Sequence, residues 1–300
     1  LQTYTADSMT LDINEEEFFI NDELSLWNGK SLHELYKIAY TPWEWHKPIM
    51  QRAKELGLIC FSTPFDETAV DFLEDLDVPA YKISSFENNH IPLIRKAAST
   101  GKPVIISTGM ASIGEVYDAV SAAWEGGCSD LILLKCTSTY PASPENSNVH
   151  TLPHMRKLFD CEVGLSDHTM GIGASIAAVS HGASVIEKHF TLSRADGGVD
   201  SVFSIEPFEL ESLVIETQRA WQSLGKIKYG CTGSEAKSKV FRRSLLVAED
   251  MIKGDIFTSE NLRIVRPGIG LPPKHYGQIL GQRVTKDVKK GTAVSWDLIK

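Results

Sequence analysis

The sequence has few of the features that define several large classes of proteins. Its five cysteines are odd in number and show no CxxC spacing, which argues against a disulfide framework and a cysteine-bound zinc site. No apolar run approaches the ~20 residues that a transmembrane helix needs, and no signal peptide opens the chain. We therefore expect reduced thiols and a cytoplasmic protein that has no membrane partner.

Positive charge is also scarce. Lysine and arginine total 30 against 39 acidic residues, the net charge is -9, and no basic run occurs, so we expect no nucleic-acid partner. No GxGxxG follows an apolar run, so a dinucleotide site of that type lacks support. What remains is a chain of 300 residues, 42% hydrophobic, which suffices for one large domain and one small domain.

Apolar runs of strand length recur along the first three quarters of the chain. They are continuous rather than alternating, as in parallel strands covered on both faces, and occupy residues 58–63, 80–84, 103–108, 130–136, 162–166 and 184–190, with a stub at 1–3. Helical segments lie between them. The clearest covers 112–125, where Ser112 and Glu115 predict a capping box and Gly126-Gly127 a stop. Residues 46–56 and 66–76 also have helical spacing.

This alternation predicts βα units with right-handed crossovers. The strand count is one or two short of eight, so the fold class is α/β. A (β/α)8 TIM barrel lacking its first strand explains the count and the start in mid-pattern; an open doubly wound sheet is the alternative. We expect a TIM-barrel catalytic domain over 1–225, a polar linker over 226–240 and a small β-rich domain over 241–300.

Polar residues collect where the predicted strands end, and a barrel brings all of these ends to one rim, where active sites form. His168 and His189 follow neighbouring strands and could bind a divalent metal, with open positions for substrate and water. The alternative is two hydrogen-bonded structural histidines. Asp167 and Glu187 could orient the histidines, transfer protons or form a rim ion pair.

Lys82 lies inside an apolar strand, where an unpaired ammonium is costly. It could hold a phosphate or carboxylate, form a Schiff base, or pair with a rim carboxylate. Lys135 is a weaker case, because its side chain can point outward. The serine and threonine pairs at the strand ends could cradle a phosphate or cap the strands.

Three further stretches, one aromatic and two cationic, allow either a binding or a structural role. The motif TPWEWH, with Trp43, Trp45 and His46, could stack on a sugar, or it could be a hydrophobic staple at the start of the next helix. FRRS at 241–244 and RPG at 266–268 offer cations to an anionic ligand, although surface ion pairing is their default role.

Seven motifs occur in a fixed order: YKISSFE, ISTGM, KCTSTYP, GLSDHT, IEKHFT, FRRSL and RPGIG. Together they resemble the sialic-acid (nonulosonic acid) synthase family over essentially all 300 residues, and the tail resembles that family's antifreeze-like (SAF) domain. YTPWEWH and the segment from FSTPFDE onward resemble most the pseudaminic acid branch. The resemblance implies that phosphoenolpyruvate condenses with an open-chain acylamino sugar and releases phosphate. In this branch the sugar is 2,4-diacetamido-2,4,6-trideoxy-L-altrose and the product is pseudaminic acid.

The resemblance also implies the site residues. His168 and His189 match the family's ligands to a divalent cation, with manganese expected first and magnesium or cobalt as alternatives, and Lys82 completes the expected catalytic set. Lys82 matches a phosphoenolpyruvate-binding position, which argues against a Schiff base. The matched substrate-binding positions are Gln2, Thr63, Lys82, Ser85, Glu87, Ser107, Ser138, Tyr140, Ser166, Asp200 and Arg266. Of these, Glu87 and Asp200 match carboxylates that contact the sugar.

Arg266 matches an arginine that reaches the partner subunit's site, so the resemblance implies a domain-swapped homodimer. It also places a glutamate and a lysine of the family before Leu1. We therefore expect the printed chain to be poorly stable and inactive, with two open strand edges, and we assign the function to the complete protein that includes that segment. The rival functions are neuraminate or legionaminate synthesis, a Schiff-base aldolase, and a non-catalytic carbohydrate-binding protein.

Overall fold

The computed structural model describes residues 1–21 and 27–299. The chain divides into two compact units, Leu1–Gly225 and Lys226–Lys300, and Lys300, the last residue of the predicted small domain, lies outside the described ranges. Within those ranges no helix has both the length and the apolar character needed to cross a bilayer.

The large unit contains parallel strands that follow one another in chain order. They are β1 Gln2–Thr3, β2 Thr63–Pro64, β3 Tyr81–Ile83, β4 Val104–Ser107, β5 Leu131–Cys136, β6 Glu162–Ser166 and β7 Val185–Glu187. β1 pairs with β2, β3 to β7 form a five-stranded sheet, and a bridge between Ser62 and Tyr81 joins the two groups. This order is the one that successive βα units produce, and it supports the barrel-type prediction over a doubly wound sheet.

Helices alternate with the strands. They are α1 Ala6–Met9, α2 Leu32–Ala39, α3 Trp43–Glu55, α4 Glu67–Asp75, α5 Ile91–Ala98, α6 Ile113–Gly126, α7 Thr151–Phe159, α8 Gly173–Ser180 and α9 Pro207–Leu224. The main core lies between the outer face of the sheet and these helices, with Leu73, Ile83, Leu93, Ile106 and Leu133 almost fully buried.

Helix α6 confirms the predicted capping. The Ser112 hydroxyl accepts the amide of Glu115, and the Glu115 carboxylate accepts the amide of Ser112, so two otherwise unpaired donors of the first turn are satisfied. At the other end Gly127 has φ 97°, a left-handed conformation that glycine adopts without steric cost. Local chemistry alone fixes both ends of this helix.

The predicted strand over 58–63 is largely wrong. Only its last residue belongs to β2, and the apolar side chains of Leu58 and Ile59 are 63% and 81% exposed. A strand needs a partner, and the pairing with β1 begins where the Leu1 ammonium donates to the Phe61 carbonyl. Residues before 61 have no partner on that side within the described part of the chain, so their apolar character does not make them a strand.

Register places alternate residues of the sheet on its inner face. Cys136, Ser166 and Glu187 lie level with one another across β5, β6 and β7. The sheet curls so far that residues of β1 and β7 line one common cavity, which is the arrangement of a (β/α)8-type barrel. Gly164 permits the close fit on this face, because a Cβ there would lie 2.3 Å from the Val185 carbonyl oxygen.

The small unit is β-rich. β8 Ser244–Val247 pairs antiparallel with β9 Leu262–Val265, isolated bridges extend the pairing, and the short helix α10 spans Tyr276–Ile279. Its separate core includes Leu245, Phe257 and Val294. A 3-10 helix, Ala236–Phe241, occupies the end of the stretch predicted as a linker.

Candidate active site

A cavity of about 1110 Å³ opens in the large unit at the carboxyl ends of the strands. It is lined by every predicted site residue of that unit, namely Gln2, Thr63, Lys82, Ser85, Glu87, Ser107, Ser138, Tyr140, Ser166, His168, His189 and Asp200. Arg266 lies in the small unit, exposed to solvent directly after β9. The curled sheet therefore brings together residues that are up to 198 positions apart between Gln2 and Asp200.

His168 and His189 form a pair with ring centroids 5.3 Å apart. The Nδ1 of His168 lies 2.9 Å from the Thr137 carbonyl oxygen, which can only accept, so Nδ1 carries the proton and Nε2 keeps its lone pair. The Nδ1 of His189 lies 3.3 Å from Oδ2 of Asp200, which favours the same tautomer. Both imidazoles therefore have an oxygen partner that fixes the ring, as metal-ligating histidines do.

This donor set fits a divalent cation. Nε2 of each imidazole remains available, although the described residues contain no group of three or more histidine, cysteine, aspartate or glutamate side chains that could hold a metal, at this site or elsewhere. A site with two protein ligands leaves positions for substrate oxygens and water, which a catalytic site requires.

Lys82 forms an ion pair with Glu187, and this pairing explains how its ammonium is tolerated inside an apolar strand. Its Nζ lies 3.3 Å from Oε2 of Glu187 and 3.3 Å from the Ile83 carbonyl oxygen, and the Ser166 hydroxyl donates to the other oxygen of Glu187 at 2.7 Å. Burial raises the pKa of the Glu187 carboxyl, but Lys82 and Ser166 outweigh it and the net pKa is lowered. Glu187 is thus ionised at neutral pH and holds the Lys82 ammonium in place. We call the strand-end surface formed by Lys82, Thr63 and the serines Ser85, Ser107, Ser138 and Ser166 the cavity floor.

The hydroxyl groups of Ser85, Ser107 and Ser138 line the same cavity as Lys82. The Ser138 hydroxyl donates to that of Ser85 at 2.8 Å, while the buried Ser107 hydroxyl has no hydrogen-bond partner among the described residues. The backbone of Gly109, with φ +46°, lies against Ser85 and Ser138. A Cβ at this position would lie 2.6 Å from the Ser85 Cβ, so only glycine fits without a shift of these serines. An unpaired buried hydroxyl in a cavity that also contains an ammonium fits an anion site.

Glu87 and Asp200 add two carboxyl groups to the lining of the cavity, and Glu87 lies within electrostatic reach of Lys82. Burial raises the pKa of Glu87, although a hydrogen bond from Ser84 opposes the shift. Burial, and then the negative charge of Glu87, raise the pKa of Tyr36; burial, Tyr36 and Asp200 raise that of Tyr4. These tyrosines therefore lie within electrostatic reach of the two carboxyls.

The cavity has an apolar side that our sequence analysis missed. We call it the apolar wall, and it consists of Tyr4, Met9, Ile20, Trp27, Leu32 and Tyr36, all from the segment between β1 and α3. Its sequence signal is the helical spacing of Leu32, Leu35, Tyr36 and Ala39 after a serine cap, which predicts an amphipathic helix such as α2. The spacing alone does not reveal which ligand the apolar face meets.

A buried ion pair connects the ends of β6 and β7 behind the histidines. Nζ of Lys188 lies 3.0 Å from Oδ2 of Asp167, and the two side chains are 3% and 1% exposed. Asp167 also accepts from the Ser175 hydroxyl at 2.6 Å, and Lys188 donates to the Thr169 carbonyl at 2.7 Å. Each partner directly precedes a histidine in the chain, so the pair holds His168 and His189 in relation to one another.

Two candidate features lie away from the cavity. Lys135 is on the opposite face of β5 from Cys136, where its Nζ donates to the Cys136 carbonyl at 2.7 Å and burial lowers its pKa. Trp43 packs on Phe72, with ring centroids 4.6 Å apart, and His46 is fully buried. The structure therefore favours packing, not sugar stacking, for Trp43 and His46, whereas Trp45 of the same motif is 56% exposed.

The chain has relatives among known proteins. Residues 1–229 match the NeuB family and residues 242–300 match the SAF domain. The chain is 42% identical over 294 residues to a pseudaminic acid synthase of Campylobacter jejuni subsp. jejuni serotype O:2, a match that covers 98% of this chain and 85% of that protein. It is 40% identical to a pseudaminic acid synthase of Helicobacter pylori, covering 100% and 88%.

A solved structure is also similar. The N-acetylneuraminic acid (sialic acid) synthetase from Leptospira borgpetersenii serovar Hardjo-bovis, in complex with citrate, superimposes with a TM-score of 0.68 at 31% identity. The match covers 79% of this chain and 77% of that one.

Proposed function

The chain belongs to the NeuB family, and from that membership we propose that it is a pseudaminic acid synthase, an enzyme that forms a carbon–carbon bond. C3 of phosphoenolpyruvate attacks the aldehyde carbon of 2,4-diacetamido-2,4,6-trideoxy-L-altrose. Water adds at C2 of the phosphoenolpyruvate unit, the C2–O bond to phosphate breaks, and the aldehyde oxygen takes a proton. The observation that carries the proposal is one cavity lined by Lys82 and serine hydroxyls, by His168 and His189, and by the carboxyls of Glu87 and Asp200.

The floor is proposed to hold phosphoenolpyruvate. Lys82 offers a cation, and Ser85 and Ser107 offer hydroxyl donors to phosphate and carboxylate oxygens. The Ser138 and Ser166 hydroxyls donate to Ser85 and Glu187 in this structure, and they are proposed to turn to the anion when it binds. The unpaired hydroxyl of Ser107 supports this assignment, because a buried donor without a partner is expensive unless a ligand satisfies it. Thr63 lines the same floor. Glu187 keeps Lys82 oriented until the anion arrives.

His168 and His189 are proposed to hold the divalent cation, with manganese first and magnesium or cobalt as alternatives. When bound, such an ion polarises a carbonyl oxygen as a Lewis acid. The protein's contribution is to fix both imidazoles in the tautomer that leaves Nε2 free, through Thr137 and Asp200. Manganese binding measured by calorimetry should be lost in His168→Ala and kept in His181→Ala, a matched control directly after helix α8 and outside the cavity.

The acceptor is proposed to bind between the histidines and Glu87, with Gln2, Tyr140 and Asp200 as further contacts. Its hydroxyls need partners once they leave water, and carboxyl oxygens are strong acceptors for them. The raised pKa of Glu87 also lets this group donate a hydrogen bond while it is protonated.

The test measures phosphate release from phosphoenolpyruvate by the complete protein, with the trideoxy sugar and N-acetylmannosamine in parallel. We expect turnover with the first sugar, loss of turnover with a chelator, and recovery on adding manganese. Turnover with N-acetylmannosamine alone would contradict the branch and keep the family. A borohydride-trapped adduct on Lys82 would instead support an aldolase.

The protein is also proposed to be a homodimer and to be located in the cytoplasm. The five cysteines carry free thiols, which fits a reducing compartment such as the cytoplasm. Family likeness supports a domain-swapped homodimer in which Arg266 acts at the partner subunit's site. Light scattering should give twice the mass of one chain, and a monomer that is fully active would contradict the assignment of Arg266.

A further inference from the structure

We propose that the apolar wall selects the acceptor by receiving its methyl groups, above all the C6 methyl that a 6-deoxy sugar carries. This inference rests on the proposed function and names the part of the cavity that reads the sugar. The wall supplies Met9, Ile20 and Leu32 as aliphatic groups, all partly exposed to the cavity rather than sealed in the core.

The polar groups of the cavity and the apolar wall come from different parts of the chain, although Phe65, Phe86 and Phe190 add apolar surface next to the strand ends. Lys82 and the serine hydroxyls lie on the strand ends, whereas the wall comes from the segment between β1 and α3. An anion with two charged groups belongs on the floor, because the wall offers no cation. The remaining ligand, a neutral sugar with apolar substituents, is the one that the wall fits.

The wall adjoins the groups proposed to bind the sugar. The negative charge of Asp200 contributes to the raised pKa of Tyr4, and that of Glu87 contributes to the raised pKa of Tyr36. Trp27 has its ring centroid 6.3 Å from that of Tyr140, and Tyr140 lies 4.4 Å from His168. A sugar whose aldehyde meets the histidines and whose hydroxyls meet the carboxyls therefore has its substituents against the wall.

The aliphatic part of the wall, Met9, Ile20 and Leu32, discriminates against an added hydroxyl, whereas the phenol groups of Tyr4 and Tyr36 can form hydrogen bonds elsewhere on the wall. Methionine, isoleucine and leucine side chains cannot satisfy an O–H group, and the Trp27 indole already donates to the Val199 carbonyl at 3.2 Å. A 6-hydroxyl buried there loses its water without gaining a partner. Apolar pockets of this kind discriminate by roughly 10²-fold in kcat/KM.

The wall is also held in place, as a selective surface must be. His33, 4% exposed, contacts Asp7 of α1 through Nε2 at 2.8 Å and Asp12 through Nδ1 at 3.4 Å. The Ser31 hydroxyl caps α2 by accepting the Glu34 amide. These contacts tie α1 to α2, the two helices that carry Met9 and Leu32.

The experiment compares the trideoxy sugar with its 6-hydroxy analogue in the complete protein. We expect wild type to prefer the trideoxy sugar by roughly 10²-fold in kcat/KM. Leu32→Asn should reduce that preference about tenfold, mainly through the acceptor KM, and leave the KM for phosphoenolpyruvate unchanged. Met9→Gln serves as a second variant from a different helix. Ile38→Asn is the matched control, since Ile38 lies on the same helix α2 but is 65% exposed and outside the cavity.

The outcomes separate the inference from the function on which it rests. Equal acceptor preference in wild type, Leu32→Asn and Met9→Gln overturns the inference while turnover of the trideoxy sugar keeps the function. The same loss of preference in Ile38→Asn also overturns it, because the effect would then be structural. If wild type shows no turnover of the trideoxy sugar, both the inference and the proposed function are overturned.

Discussion

Glu87 and Glu187 line the same cavity, yet their carboxyl pKa values shift in opposite directions. Burial dominates at Glu87 and raises its pKa, whereas at Glu187 the neighbouring Lys82 ammonium outweighs burial and lowers it. Two carboxyls with diverging pKa values can play different roles, one as a proton donor and one as a fixed negative charge.

The raised pKa of Glu87 predicts a pH-dependent cost. A carboxyl that binds its proton more tightly in the folded state contributes stability below its ordinary pKa of 4.5 and loses that contribution as pH rises through the folded value. Glu87→Gln should therefore match wild type in free energy of unfolding at pH 4 and exceed it at pH 8. Urea denaturation at both pH values tests this, and a constant difference between the two proteins would contradict it.

At the scale of elements, the ends of β6 and β7 depend on the ion pair between Asp167 and Lys188. Both charges are desolvated, and each makes further hydrogen bonds. Removing one partner of such a pair strands the other charge in a low-dielectric interior.

Lys188→Met should lower the free energy of unfolding by about 3–5 kcal/mol, because the Asp167 carboxylate remains buried without its partner. The double variant Asp167→Asn with Lys188→Met should be more stable than Lys188→Met alone. Chemical denaturation measures both, with Lys96→Met as the control for a solvent-exposed pair, where the loss should be far smaller. Equal losses of unfolding free energy in Lys188→Met and Lys96→Met would show that the buried pair contributes no more to stability than an exposed one.

Elements were predictable where local chemistry determines them. The capping box of α6 and its terminal glycine need only neighbouring residues, so the prediction agrees with the structure. The apolar run at 58–63 needed a partner strand, which no local pattern reveals. Helix α2 has a clear apolar spacing, but its packing over a cavity depends on the distant strands β3 to β7.

The whole molecule shows the same division between local and long-range information. The cavity floor was predictable because barrel geometry brings every strand end to one rim, whatever the details of the loops. The ion pairs of Lys82 and of Lys188 were not, since a sequence does not specify which rim carboxylate meets which lysine. The resemblance supplied Glu87 and Asp200, which the residue pattern alone did not single out.

The small unit has a core of its own, with Leu245, Phe257 and Leu262 at most 1% exposed. We expect residues 226–300 expressed alone to fold, because this core is built entirely from their own side chains. A cooperative thermal transition by circular dichroism and dispersed amide resonances would agree with this. A chain that lacks both would mean that the unit needs the remainder of the protein.

The residues of the apolar wall all come from one segment of sequence, between β1 and α3, while the floor is assembled from scattered strand ends. If the wall selects the sugar, substitutions within this one segment change the acceptor preference and leave the residues proposed to bind phosphoenolpyruvate unchanged. Transplanting residues 4–41 between relatives that use different sugars is the corresponding route for a protein engineer.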